Sequence, residues 1–113
     1  MEDIGRIPPH SVESEQSILG SILLDKDAII TVTETIQPED FYKEAHKIIY
    51  ECMLKLNSKN EPIDLITLTE ELKKQDSLEN IGGISYITSL STIVPTTTNV
   101  KYYADIVKEK SVL

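Results

Sequence analysis

Tryptophan is absent from this 113-residue chain and Phe41 is its single phenylalanine, so a core must be built mostly from aliphatic side chains. There is one cysteine, Cys52, which excludes an intramolecular disulfide. Four glycines and five prolines are too few for a chain disordered by composition. Apolar runs are short, and none approaches the roughly 20 residues that span a bilayer. The N-terminus is acidic and lacks the basic flank and apolar stretch of a secretory signal, so a cytoplasmic protein with no membrane association is expected. Positive charge is also scarce, with 11 Lys and Arg against 19 Asp and Glu and a net charge of −8. Phosphate backbones are held by clustered cations, so direct nucleic-acid binding by this chain is not expected. The balance suits a soluble surface or a basic protein partner.

What is present reads as one all-α domain, a compact orthogonal bundle of about six helices. The run IPPHSVESEQSILGSILLD, from Ile7 to Asp25, begins with an extended arm held by Pro8 and Pro9. Residues 1–10 form that arm and 11–113 the helical head. Ser11 is an N-cap candidate, Glu13 and Glu15 suit the positive end of the first helix, and Ile18, Leu19, Ile22 and Leu23 make its apolar stripe. Glu15 points near that stripe, where it can serve as a local capping partner.

A second helix follows Asp27 as N-cap and carries Ile29, Val32 and Ile36 up to Gln37-Pro38. The β-branched stretch Ile29–Thr33 also suits a strand, but no partner strand of similar length exists. The third helix, near 43–57, aligns Ala45, Ile48, Ile49, Cys52, Met53 and Leu56. Asp64 caps a fourth helix bearing Leu65, Leu68 and Leu72. A fifth, near 84–92, is expected to pack through Ile84, Ile87 and Ser91 with Leu90 on the flank, and Val94-Pro95 ends it. The run Thr96–Asn99 caps the sixth.

Residues that could carry chemistry are few. Gly82-Gly83 lacks the context of a phosphate-cradling loop and reads as a turn. His46 and Cys52 are six apart on one helix, about 120° apart in azimuth, which does not suit one metal ion. A core-flank histidine and a buried thiol are expected instead. Glu39-Asp40 and Glu70-Glu71 have no histidine or serine positioned by sequence to make a relay, and both pairs read as solvated surface. Glu51–Lys55 and Glu70–Lys74 are spaced as i, i+4 ion pairs. No catalytic, metal or cofactor-binding residue is assigned.

Protein contact is the remaining role. On the sixth helix Val100, Tyr103, Ala104, Val107 and Ser111 form one stripe, whereas Tyr102, Ile106 and Leu113 form a second. The second stripe either covers a segment absent from this chain or widens an ordinary amphipathic face. Glu13 lies opposite the apolar side of the first helix, and Tyr86 sits off the stripe of the fifth. Glu13, Tyr86, Tyr102 and Ile106 are therefore the candidate partner contacts.

Together IPPHSVESEQSILGSILLD, PEDFYKEAHKIIYECMLKL, EPIDLITLTEEL and IGGISYITSLSTIVPTTTNVKYYADIVKEKSVL resemble, in order and spacing, the start of bacterial replicative DNA helicases of the DnaB family. The resemblance runs from Ile7 to Leu113. It implies an N-terminal head truncated before a C-terminal helical hairpin, toward which 100–113 would lead. The parent's RecA-like motor would hold ATP and magnesium. In the family such heads assemble as a trimer of dimers, forming a collar that docks the primase C-terminal domain and in some systems a helicase loader. The implied function is a non-catalytic domain that organises the hexameric ring and holds primase, with the isolated fragment a monomer or weak dimer. Two alternatives are the helicase-binding domain of a primase, which resembles the head in fold, and a small stand-alone enzyme using His46 with a nearby carboxylate.

Overall fold

Helix starts and apolar stripes translate into six α-helices in the computed structural model, which describes residues 9–93 and 99–112. No strand occurs among these residues. The N-terminal arm up to Pro8, the Val94-Pro95 stop, the Thr96–Thr98 part of the cap and Leu113 lie outside them. Helix α1 spans Val12–Leu24, and its start is fixed by Ser11, whose backbone is extended and whose hydroxyl accepts from the Ser14 amide at 3.3 Å.

Helix α2 (Ala28–Thr33) is shorter than its apolar spacing suggests. The Asp27 side chain does not cap it. Instead the Asp25 carboxylate, at the end of α1, accepts from the Asp27 amide at 2.9 Å and turns the chain locally. Ile36, beyond the end of α2, is still buried, and its carbonyl accepts the Tyr50 hydroxyl at 2.9 Å. Burial pushes that phenol up to about 12, helped by the charge of Asp40, so it serves as a neutral donor. A short 3₁₀ turn, Pro38–Asp40, leads into α3 (Glu44–Ser58).

Helix α4 (Leu65–Lys74) begins at Asp64, whose carboxylate accepts from Thr67 N at 2.8 Å while the Thr67 hydroxyl accepts from Asp64 N at 3.0 Å. This reciprocal cap satisfies two amides that the helix itself cannot. A second 3₁₀ turn, Glu79–Ile81, is closed by Gly82 and precedes α5 (Gly83–Ile93). Helix α6 spans Val100–Ser111.

Helix α1 is the centre of the assembly, packing chiefly on α5 and α6 and also on α2 and α3, while α4 lies on α3 and α5. Ile18, Leu19 and Ile22 are fully or almost fully buried, as are Ile49, Met53, Leu68, Leu72, Ile87 and Leu90. Phe41, the single phenylalanine, sits among them with its ring centroid 5.1 Å from that of Tyr50.

Two faces differ from expectation. Helix α5 packs through Ile87 and Leu90, with Tyr86 and Ile93 against the core, whereas Ile84 is 53% exposed. An isoleucine-rich helix supports both stripes, and the hydrogen bonds of Tyr86 described below select one of them. On α6, Ala104 and Val107 are buried, but Ser111 is exposed and donates to Asp40 Oδ1 at 2.8 Å.

Candidate functional site

The four candidate contact residues fall into two groups. Tyr102 and Ile106 stand one turn apart on α6, the first 65% exposed and the second half-buried. Glu13 is exposed on α1. Tyr86 is half-buried, and its hydroxyl is turned inward, away from the role of a free surface donor.

That hydroxyl ends a chain of side chains crossing three helices. Glu15 from α1 and His46 from α3 are 1% and 0% exposed, with Oε1 and Nδ1 2.7 Å apart. His46 Nε2 meets the Tyr86 hydroxyl from α5, and Gln16 Nε2 donates to that hydroxyl at 3.2 Å. Donors and acceptors balance when Nδ1–H donates to Glu15 and Nε2 accepts from Tyr86, which in turn accepts from Gln16. Glu15 also accepts from the Tyr42 amide at 2.7 Å and, more weakly, from the Lys43 amide at 3.4 Å.

Lys43 is the N-cap residue of α3 and its side chain makes no capping bond. A carboxylate from another helix therefore supplies the anion that the N-terminal end of a helix favours. Glu15 caps α3 across space, where the sequence suggests a purely local role. His46 is a core residue rather than a core-flank one.

A carboxylate–imidazole–phenol chain has the composition of a proton relay. Here both ring nitrogens are engaged and the ring is fully buried, so neither is presented to a substrate. The arrangement ties α1, α3 and α5 together. Sequence spacing alone misses it, although Glu15 precedes Ile18 and Leu19 by three and four residues, and His46 precedes Ile49 and Tyr50 likewise. Both polar groups thus stand on apolar stripes.

Glu71 is a second correction. It is 2% exposed rather than solvated, and Lys55 of α3 and Lys59 at that helix's C-cap reach it at 2.9 and 3.5 Å. Lys55 turns to Glu71, not to Glu51, and Glu70 meets Lys73 at 3.7 Å, not Lys74. For Lys55 the packing of α4 on α3 makes the cross-helix partner nearer than the intrahelical one, whereas Glu70 stays within α4 and takes the i, i+3 lysine. The Lys55 hydrogen bond, outweighing burial and aided by Gln75 and the charge of Lys59, holds the Glu71 carboxyl down to about 2 from its ordinary 4.5.

A carboxyl depressed in the folded state contributes stability that is complete above pH 4.5 and is lost as pH falls toward 2. Urea unfolding of Glu71→Gln is therefore expected to show a shallower loss of stability across that window than the parent chain. Parallel curves would show that Glu71 carries no such linkage.

Asp40 makes the corresponding tie for α6, with Lys108 Nζ 3.0 Å from Oδ2 and the Gln37 amide 2.7 Å from the same oxygen. Burial raises its carboxyl, but the Gln37 amide, Ser111 and Lys108 together hold it below the ordinary range. Burial and the nearby Glu71 charge push the Cys52 thiol up to about 11, which suits a packed thiol rather than a nucleophile. Among the described residues no group of three His, Cys, Asp or Glu is placed to hold a metal, and no helix is long and apolar enough to cross a membrane.

A family model described as "DnaB-like helicase N terminal domain" matches residues 7–109. The chain belongs to this family. It is 51% identical over 108 residues to the replicative DNA helicase DnaB of Geobacillus stearothermophilus, covering 96% of this chain and 24% of that protein. It is 48% identical, with the same coverage, to the replicative DNA helicase DnaC of Bacillus subtilis (strain 168). It thus spans about a quarter of the length of these curated relatives. The crystal structure of the N-terminal domain of DnaB helicase from Mycobacterium tuberculosis superposes with a TM-score of 0.91 at 45% identity, covering 94% of this chain and 74% of that one. The family's all-α fold is therefore also the fold of this chain.

Proposed function

We propose that this chain serves as the non-catalytic N-terminal head of a replicative DNA helicase, organising the hexameric ring as part of a collar and docking the C-terminal domain of primase. The observation that carries this reading is the match of nearly the whole chain to the helicase head family, with relatives that are replicative helicases rather than primases. The ATP- and magnesium-dependent motor would belong to the remainder of the parent protein. The burial of His46 favours this reading over a small enzyme built on that residue.

The outer side of α6, with Tyr102 65% exposed, and its C-cap Val112, 67% exposed, suit contact with a helical hairpin continuing the head or with other copies of the helicase. A helicase loader would be a further partner of the same collar. Glu13 on α1 and the outer edge of Tyr86 on α5 lie on helices that pack together and suit a primase contact.

Titrating the parent helicase with its cognate primase C-terminal domain tests the docking role. Glu13→Ala combined with Tyr86→Leu, which removes the outer edge of the ring, is expected to weaken binding by about tenfold, the scale of one good interface contact. Unchanged affinity would remove both residues from the interface. A parent helicase that does not bind its primase at all would overturn the docking role itself.

A further inference from the structure

The end of α1, the first turn of α4 and the later part of α5 enclose a groove of about 440 Å³, lined by Leu23, Leu24, Asp64, Leu65, Ile66 and Ser91. Leu23 and Leu65 form its floor, half-buried against the core. Leu24 and Ile66 form its rims and are 61% and 75% exposed. Neither rim residue belongs to the buried stripe of its own helix, Ile18, Leu19 and Ile22 in α1 or Leu68 and Leu72 in α4. The fold gains little from them, and two large aliphatic side chains facing water around an apolar floor mark a contact surface.

The charge around the groove narrows its occupant. Its lining holds one carboxylate, Asp64, and neither Lys nor Arg. Asp25 directly follows Leu24, and the exposed Asp25-Lys26-Asp27 turn carries net negative charge. Both Asp64 and Asp25 are held in place, the first by capping Thr67 N and the second by accepting from Asp27 N. A second copy docking through the same surface would bring its own Asp25 and Asp64 against these carboxylates. Like-charge approach disfavours self-association here.

We propose that this groove docks an amphipathic helix of a basic protein partner. An apolar i, i+4 pair of that helix would seat between Leu24 and Ile66, and Lys or Arg flanking it would pair with Asp25 and Asp64. The surface includes none of Glu13, Tyr86, Tyr102 and Ile106, so it is separate from the primase contact described above and does not depend on it.

The test titrates the isotopically labelled chain with a synthetic amphipathic helix of leucine and lysine, followed by nuclear magnetic resonance. Three controls accompany it: a scrambled peptide of the same composition, a leucine–glutamate counterpart, and dilution of the chain alone. Saturable shifts centred on Leu23, Leu24, Leu65 and Ile66 are expected, weakening as salt is raised. Leu24→Ser with Ile66→Ser should weaken the fit about tenfold while leaving the spectrum of the folded core unchanged.

A charge-only variant, Asp25→Asn with Asp64→Asn, retains capping side chains and should lose affinity and most of the salt dependence. Absence of binding, shifts centred elsewhere, or equal binding by the scrambled or glutamate peptides would overturn the proposal. So would a dimer that forms with concentration and disappears in the serine variant, because the occupant would then be a second copy.

Discussion

Replacing Glu15 with alanine is expected to lower the unfolding free energy by about 3 kcal/mol, seen as a lower urea midpoint at unchanged slope. The size follows from what the carboxylate leaves behind. His46 Nδ1–H and the Tyr42 amide lose their 2.7 Å acceptor, and the Lys43 amide loses a weaker one. Water has little access to a site where Glu15 and His46 are 1% and 0% exposed. A buried donor left without a partner costs about 1–3 kcal/mol, more than its hydrogen bond contributed in net.

Glu15→Gln separates the charge from the shape. Its carbonyl oxygen can accept from one of these donors while its amide faces the other, so a loss of about half the alanine effect is expected. Near-equal stability of Glu15→Ala and the parent chain would mean that the polar chain does not hold α1, α3 and α5 together.

Gly82→Ala is expected to cost about 2 kcal/mol, and its neighbour Gly83→Ala about 1 kcal/mol. Both glycines have positive φ, 111° and 76°, which a side chain disfavours. Only at Gly82 does the added Cβ also collide, lying 2.8 Å from Tyr86 Cβ, whereas nothing lies within 4 Å at Gly83. Tyr86 Cβ is anchored to its helix and cannot swing aside like a side-chain tip. Relief must therefore shift the tyrosine, pulling its hydroxyl away from His46 and Gln16. A double-mutant cycle of Gly82→Ala with Tyr86→Phe should reveal this as coupling, because the shift has no hydroxyl to disturb in the second background. Strict additivity would confine the cost of Gly82→Ala to its own backbone.

The helices themselves were legible from the chain. Ser11 and Asp64 are good caps because a short oxygen-bearing side chain reaches the free amides of the turn it precedes, whatever lies beyond. The stripes of α1 and α3 were legible for a similar reason: the 3.6-residue period depends only on local geometry. Less was legible where two local solutions were equally good. On α5, Ile84/Ile87/Ser91 and Tyr86/Ile87/Leu90/Ile93 are both plausible stripes, and the inward hydroxyl of Tyr86 selects the second.

The candidate surface was read less fully than the helices. Glu13 and Tyr102 are exposed as their helical positions suggest, whereas the polar end of Tyr86 is committed inside. The partners of charged groups were the hardest to read. Lys55 has Glu51 one turn away in sequence but binds Glu71 on the neighbouring helix. Asp40 in its turn is fastened to Lys108 and Ser111, near the far end of the chain.

The run from Ile7 to Asp25 shows both sides of this division. By itself the sequence determined its cap, its helix and its apolar stripe, since these rest on interactions a few residues long. Membership in the helicase head family was likewise carried by the order of motifs along the chain. Only the tertiary structure decided that Glu15 faces the start of α3 and that His46 and Tyr86 complete its chain. Sequence separations of 31 and 40 residues join these groups, and helical periodicity carries no information about which stripe meets which. A carboxylate on an apolar stripe is stable there only when another element supplies its donors, and that condition is met by packing alone.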